Sequence, residues 1–274
     1  MSHEFMPPVP EVPPPRHHQL LLREEYEAAG GKGQYDRGVL SSQLSEWSEF
    51  YDEVRRFRDR EGYVWRGQEQ HGEGWTLRSN FDRQSKQGNR EKHLESHKRE
   101  FIKAIRGRRG PNPCDLSDDD LWALGQHYGL ATPLLDWTES PFVAAYFAFT
   151  PRRTNRTERV VYALNRDIER WYRTDTKEFF ITFPRISSHE NARLLAQGGV
   201  FTKALEGEDV KTRIQKCYHE TNHAGRIILL EILIPDSSRN ECLMDLNWMN
   251  INRASLFPDL HGAAVFCNWR LEIG

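Results

Sequence analysis

The sequence predicts an α+β fold built as a single large domain, and three observations carry that prediction. Strand-like runs (Val160–Leu164, Val200–Thr202 and the nearly continuous apolar Ile227–Ile234) mix with helical periodicity without the regular alternation of a doubly wound fold. The 274 residues carry 8 Trp, 9 Tyr and 14 Phe, enough ring surface to close one core despite a mean hydropathy of -0.75. No internal repeat is visible, which argues against a solenoid.

The elements follow in order. Residues 1–22 read as a disordered tail, because six prolines between Pro7 and Pro15 favour extended, solvated backbone. From Ser42, the residues Leu44, Trp47, Phe50, Tyr51, Val54 and Phe57 recur at three- and four-residue steps. That spacing predicts an amphipathic helix capped by Ser41 or Ser42 and ended before Gly62. Tyr63-Val64-Trp65 reads as a short buried strand with Arg66-Gly67-Gln68 at its end. Leu94, Phe101, Ile102 and Ile105 mark a basic helix, stopped by Gly107 and Pro111.

The run Ser117–Asp120 reads as an N-cap and acidic first turn, with Gly129 ending the helix that follows. Leu134–Thr138 belongs to a turn-rich stretch. Ser140-Pro141 starts an apolar helix, since proline suits the first helical position. Ser188–Leu195 reads as helical, and Leu256–Leu260 as a turn before a final helix.

Net charge is -2, so the chain is no polycation, but residues 78–110 hold eleven Lys/Arg against four Asp/Glu. A solvated helix face and a phosphate-binding surface both account for this. No apolar run approaches the roughly 18 residues that cross a bilayer, and no signal-peptide pattern opens the chain. A cytoplasmic protein without membrane contact is expected. Cys114, Cys217, Cys242 and Cys267 form no CxxC and have no paired histidines nearby, so free thiols and no metal are expected.

GxGxxG, P-loop, GxSxG and HExxH signatures are absent. The polar content that remains sits inside apolar segments. Arg66 beside Gly67 suits a two-pronged grip on phosphate or carboxylate, or else an ion pair with Asp136. Gln126, His127, Thr132, Asp136, Thr138, Glu139 and Ser140 fall within one short stretch, where they satisfy one another or face a ligand. Ser140 alone fits an N-cap, and His127 fits a satisfied core histidine. Tyr128, Trp137 and Tyr146 fit either core packing or stacking on an aromatic ligand.

The segments WRGQ (65–68), LGQHYGLATPLLDWTESPFVAAYFAF (124–149), NARLLAQGGVFT (191–202) and SLFPDLHG (255–262) together resemble the FRG domain, over about residues 45–270. Trp65 stands where the family's name implies phenylalanine, and His261 where an acidic residue is expected. The order of these motifs is in turn similar to that of ADP-ribosyltransferases. That resemblance implies a split β-sheet core with flanking helices, and NAD as substrate.

It gives Arg66 the NAD diphosphate or ribose, Thr138 or Ser140 the nicotinamide-side ribose, and Gln197 or Glu231 the ribose 2'-hydroxyl. Gly67, Gln68, His127, Asp136, Trp137 and Tyr146 complete the expected NAD surroundings. A toxin-like or phage-defence effector modifying nucleic acid or protein is the function implied, with Arg78–Gly110 as the nucleic-acid contact. The alternative is a non-catalytic FRG module binding a polyanion or protein partner. A metal-dependent hydrolase using His127, Asp136 and Glu139 is a third reading, short of the carboxylates a two-metal site needs.

Overall fold

The computed structural model describes residues 20–58, 60, 62–72, 74–85, 88–110, 115–151, 157–168, 181–186, 192–204, 207–218 and 225–273. Eight strands among them form one mixed sheet. These are β1 (Gln34–Asp36), β2 (Val39–Gln43), β3 (Tyr63–Gln68), β4 (Leu134–Thr138), β5 (Glu158–Asn165), β6 (Ile181–Thr182), β7 (Gly199–Ala204) and β8 (Leu229–Pro235). The strand order is β1-β2-β8-β5-β3-β4-β7-β6, antiparallel except for the parallel pair β2–β8.

The helices are α1 (Arg23–Ala28), α2 (Glu49–Arg55), α3 (Asn80–Gln84), α4 (Arg90–Ala104), α5 (Asp118–His127), α6 (Pro141–Phe149), α7 (Ala192–Ala196), α8 (Val210–Cys217), α9 (Arg239–Trp248), α10 (Arg253–Leu256) and α11 (Leu260–Ile273). The α+β class is therefore correct. The split core is not what the strands form, because β3 and β4 join the two halves into one sheet. That junction is thin: β3 and β4 register only at Trp65–Thr138, whereas β3 pairs with β5 along its whole length.

Both sheet faces are covered. On one, Trp65, Val161, Ala163, Leu230 and Ile232 pack with α2, α6 and α9 through Phe50, Phe149, Cys242 and Leu246. On the other, Val64, Tyr162, Leu164 and Leu229 pack beneath Val210 and Ile214 of α8. A smaller cluster joins Trp122 and Ala123 of α5 to Leu134 and Phe201.

The local start signals hold where they are chemical. Ser117 accepts from the Asp120 N–H at the head of α5, Asn89 caps α4, and Ser140 accepts from the Val143 N–H ahead of Pro141 in α6. Gly129 takes φ of +90° after α5, as a helix-ending residue does.

Three expectations need correction. The helix expected from Ser42 begins only at Glu49, because Ser41–Gln43 are drawn into the parallel ladder with β8 and the Leu44 N–H bonds the Leu233 carbonyl. Leu134–Thr138, in the stretch read as turn-rich, is a regular strand paired with β7 along its length. Leu20 and Leu21, placed in the tail by sequence, are buried, and the Ile227 N–H donates to the Leu21 carbonyl.

Ser188–Asn191 and residues 1–19 lie outside the described residues, as does Cys114. Cys217, Cys242 and Cys267 are free thiols. Among the described residues, no helix is long and apolar enough to cross a membrane.

Candidate functional site

Arg66 lies inside β3, not at its end, and projects from the face that also carries Tyr162 and Glu231 in successive registered positions. It lines a cavity of about 500 Å³ at the thin β3–β4 junction. Walls come from β3, α5, β4, the α7–β7 turn and the segment after α10. A volume in this range suits a small organic ligand.

The Arg66 Nη1 donates to the Asp136 backbone carbonyl at 2.7 Å, while the Asp136 carboxylate stands off at 3.9 Å. The Arg66 Nε–H is buried without a hydrogen-bond partner among the described residues, and so is Oε1 of Gln68, another lining residue. Burial holds the guanidinium below its ordinary pKa, against the pull of Asp136 and with a further like-charge push from Arg83. A buried, unpaired donor on a cation at a cavity wall is costly unless something arrives to accept from it.

Around it, a relay fixes the far wall. Thr132 Oγ1 donates to Gln126 Oε1, and Gln126 Nε2 donates to Asp136 Oδ1 at 2.5 Å. His127 also lines the cavity, edge-on to the ring of Tyr128. Trp137 lines it with its indole N–H tied to Thr202 Oγ1 at 2.8 Å.

Thr138 is buried, donating to the Gln197 carbonyl at 2.6 Å and accepting from the Ser140 N–H at 3.1 Å. It thereby locks β4 to the turn between α7 and β7. Gln197 sits in that turn, before Gly198 at φ +54°, and its Nε2 donates to the Leu256 carbonyl at 3.1 Å.

The cavity thus brings together Arg66, Gly67, Gln68, His127, Asp136, Trp137, Thr138 and Gln197. It does not include Ser140, Tyr146 or Glu231. Ser140 is occupied as the α6 cap. Tyr146 packs in the core beneath α9, facing a separate cavity. Glu231 is buried two strands from Arg66, accepting from Ser41 Oγ at 2.6 Å and Lys211 Nζ at 2.7 Å, with His71 at 3.6 Å.

Gly67 has a different job from the ligand approach that its position beside Arg66 suggests. A Cβ there would lie 1.8 Å from the Ala144 carbonyl oxygen, so glycine is what lets α6 press onto β3.

Sequence reasoning missed Arg83, Arg193, Phe147 and Phe257 on the cavity wall. Arg83 was one charge among many in the basic segment, and Arg193 on α7 and Phe257 after α10 come from distant parts of the chain. Much of that segment is consumed internally. Arg90 pairs with Asp82, Lys98 with Glu95 and Asp118, and Lys103 with Glu100, while Arg78 donates to the Gly207 and Asp82 carbonyls. Of the three residues of the hydrolase reading, His127 and Asp136 line the cavity, while Glu139 pairs with Arg166 and does not line it.

A family model described as the FRG domain matches residues 61–157. The match takes in Arg66, His127, Asp136 and Thr138 and ends before Gln197. No curated protein and no solved structure matches the chain.

Proposed function

We propose that this chain, with its FRG-domain match over β3 to α6, is an NAD-dependent ADP-ribosyltransferase that modifies nucleic acid or protein. The observation supporting this reading most directly is the buried, unpaired Nε–H of Arg66 at the wall of the β3–β4 cavity. A diphosphate supplies the missing acceptor and the countercharge together. Trp75 and Trp137 line the cavity and supply aromatic surface near nicotinamide or adenine.

In such a transfer the ribose C1'–nitrogen bond breaks, nicotinamide leaves as a neutral molecule with the bonding pair, and the acceptor atom bonds C1' and gives up its proton. Because the leaving group is already cationic, the protein's task is to hold the diphosphate and stabilise an oxocarbenium-like ribose. The Asp136 and Glu69 carboxylates line the cavity and supply negative charge for it. Gln197 has its Nε2 committed to Leu256, which leaves Oε1 to accept from a ribose hydroxyl. Thr138 is a positioning residue that holds the Gln197 turn. An amide stabilises a cation less than a carboxylate does, so slow transfer is expected.

The test uses NAD labelled in its adenylate half, offered with DNA, RNA and protein acceptors. Nicotinamide release and labelled acceptor are expected, falling at least about 100-fold in Arg66→Ala. NAD left intact across all acceptors refutes transferase activity.

The non-catalytic polyanion-binding reading draws on one specific feature, the exposed Arg83 at the cavity rim, which pairs with no carboxylate among the described residues. Binding that weakens steeply and log-linearly with salt, with NAD unaffected, favours that reading.

A further inference from the structure

Arg193 and Asp259 form a contact that bears on the same cavity. Arg193 lines it from α7, and its Nη2 meets Asp259 Oδ2 at 2.5 Å. Its guanidinium also lies over the ring of Phe257, a lining residue, at 5.3 Å from the centroid. Asp259 is anchored independently of this pair. Its Oδ1 accepts from the Gly262 N–H at 2.6 Å and its carbonyl from the Ala263 N–H at 3.1 Å, so it caps the fourteen-residue helix α11. The aspartate is therefore a fixed counter-ion, and the arginine is the longer and more adjustable partner.

We propose that Arg193 is a second phosphate-binding residue of the cavity, and that Asp259 restrains it until a diphosphate-bearing ligand displaces the carboxylate. This rests on the nucleotide reading of the cavity. Arg66 already gives one N–H to the Asp136 carbonyl, so a diphosphate, with two negative charges and several acceptor oxygens, calls for a second cationic donor beside it. Both Arg193 and Asp259 are partly exposed, at 32% and 38% of their side-chain surface, so their pair is weak enough to exchange. A phosphate oxygen, more strongly charged and able to take two parallel N–H bonds, is the better acceptor.

The experiment measures ADP-ribose binding by calorimetry to the wild type, Asp259→Asn, Arg193→Gln, the double variant and Arg66→Ala, each checked for an unchanged melting profile. Asparagine keeps the helix cap and removes the charge, so Asp259→Asn isolates the restraint. It is expected to tighten binding about 3-fold, on the scale of an exposed ion pair. Arg193→Gln is expected to weaken binding about tenfold, and adding Asp259→Asn to it is expected to change nothing more, because the restrained group is gone.

Arg66-dependent binding that Asp259→Asn leaves unchanged or weakens overturns this inference alone. An equal gain from Asp259→Asn in the Arg193→Gln background also overturns it. Binding that is absent, or indifferent to Arg66, overturns the nucleotide reading and this inference with it.

Discussion

Arg66 and Glu231 stand in the same cross-sheet row with Tyr162 between them, about 10 Å apart by strand spacing, yet their surroundings give them opposite roles. Arg66 keeps a buried donor unpaired at a cavity wall. Glu231 accepts from Ser41 and Lys211 through Oε2, with His71 3.6 Å from its Oε1, an atom that is buried without a hydrogen-bond partner but away from the cavity. Burial works against its charged form, but nearby His71 and the hydrogen bonds from Lys211 and Ser41 outweigh that and hold the carboxyl at about 2.

A carboxyl whose pKa is lower in the folded than in the unfolded chain contributes stability above the unfolded value, and that contribution is lost as pH falls toward the folded one. Glu231→Gln is accordingly expected to cost about 2 kcal/mol at pH 7 and to flatten the stability profile between about pH 5 and 2. Urea unfolding at several pH values checks this. Unchanged stability together with lost label transfer would return Glu231 to the chemistry. The resemblance leaves Gln197, at the start of the QGGVFT strand, and Glu231, in the middle of RIILLEILIP, as alternatives; the parallel pairing of β2 with β8, which brings Ser41 against Glu231, separates them.

At the scale of elements, β3 and α6 form the platform on which the site stands, and Gly67 sets their separation. Replacing it with alanine places Cβ 1.8 Å from the Ala144 oxygen and 2.7 Å from the Ala148 nitrogen, both backbone atoms that do not swing aside. Gly67→Ala is expected to destabilise the protein by about 3 kcal/mol or more, measured by thermal or urea unfolding. A change within about 1 kcal/mol would contradict this account of the packing.

Elements whose signals are local are legible in the sequence. Ser117 with its acidic turn, Ser140-Pro141 and Gly129 each mark a boundary through chemistry within four residues. The late start of α2 is not legible, because Ser41–Gln43 become strand through a partner 190 residues away.

At the scale of the molecule, the strand order assembles the cavity. It places β4 and β7 beyond β3, so that the α7–β7 turn and the segment after α10 close over Arg66. Arg66, Asp136 and Thr138 were legible because a cation, a carboxylate and a hydroxyl stood within apolar segments. Arg193 and Phe257 were not singled out, although the segments NARLLAQGGVFT and SLFPDLHG contain them, since nothing gives either residue a place beside Arg66 until the fold brings them to one wall.

Whether this cavity receives a dinucleotide through Arg66 is decided by a crystal structure with a non-hydrolysable NAD analogue. Diphosphate oxygens are expected within about 3 Å of the Arg66 Nε. An analogue bound elsewhere, with the Arg66 Nε still lacking an acceptor, overturns the dinucleotide reading.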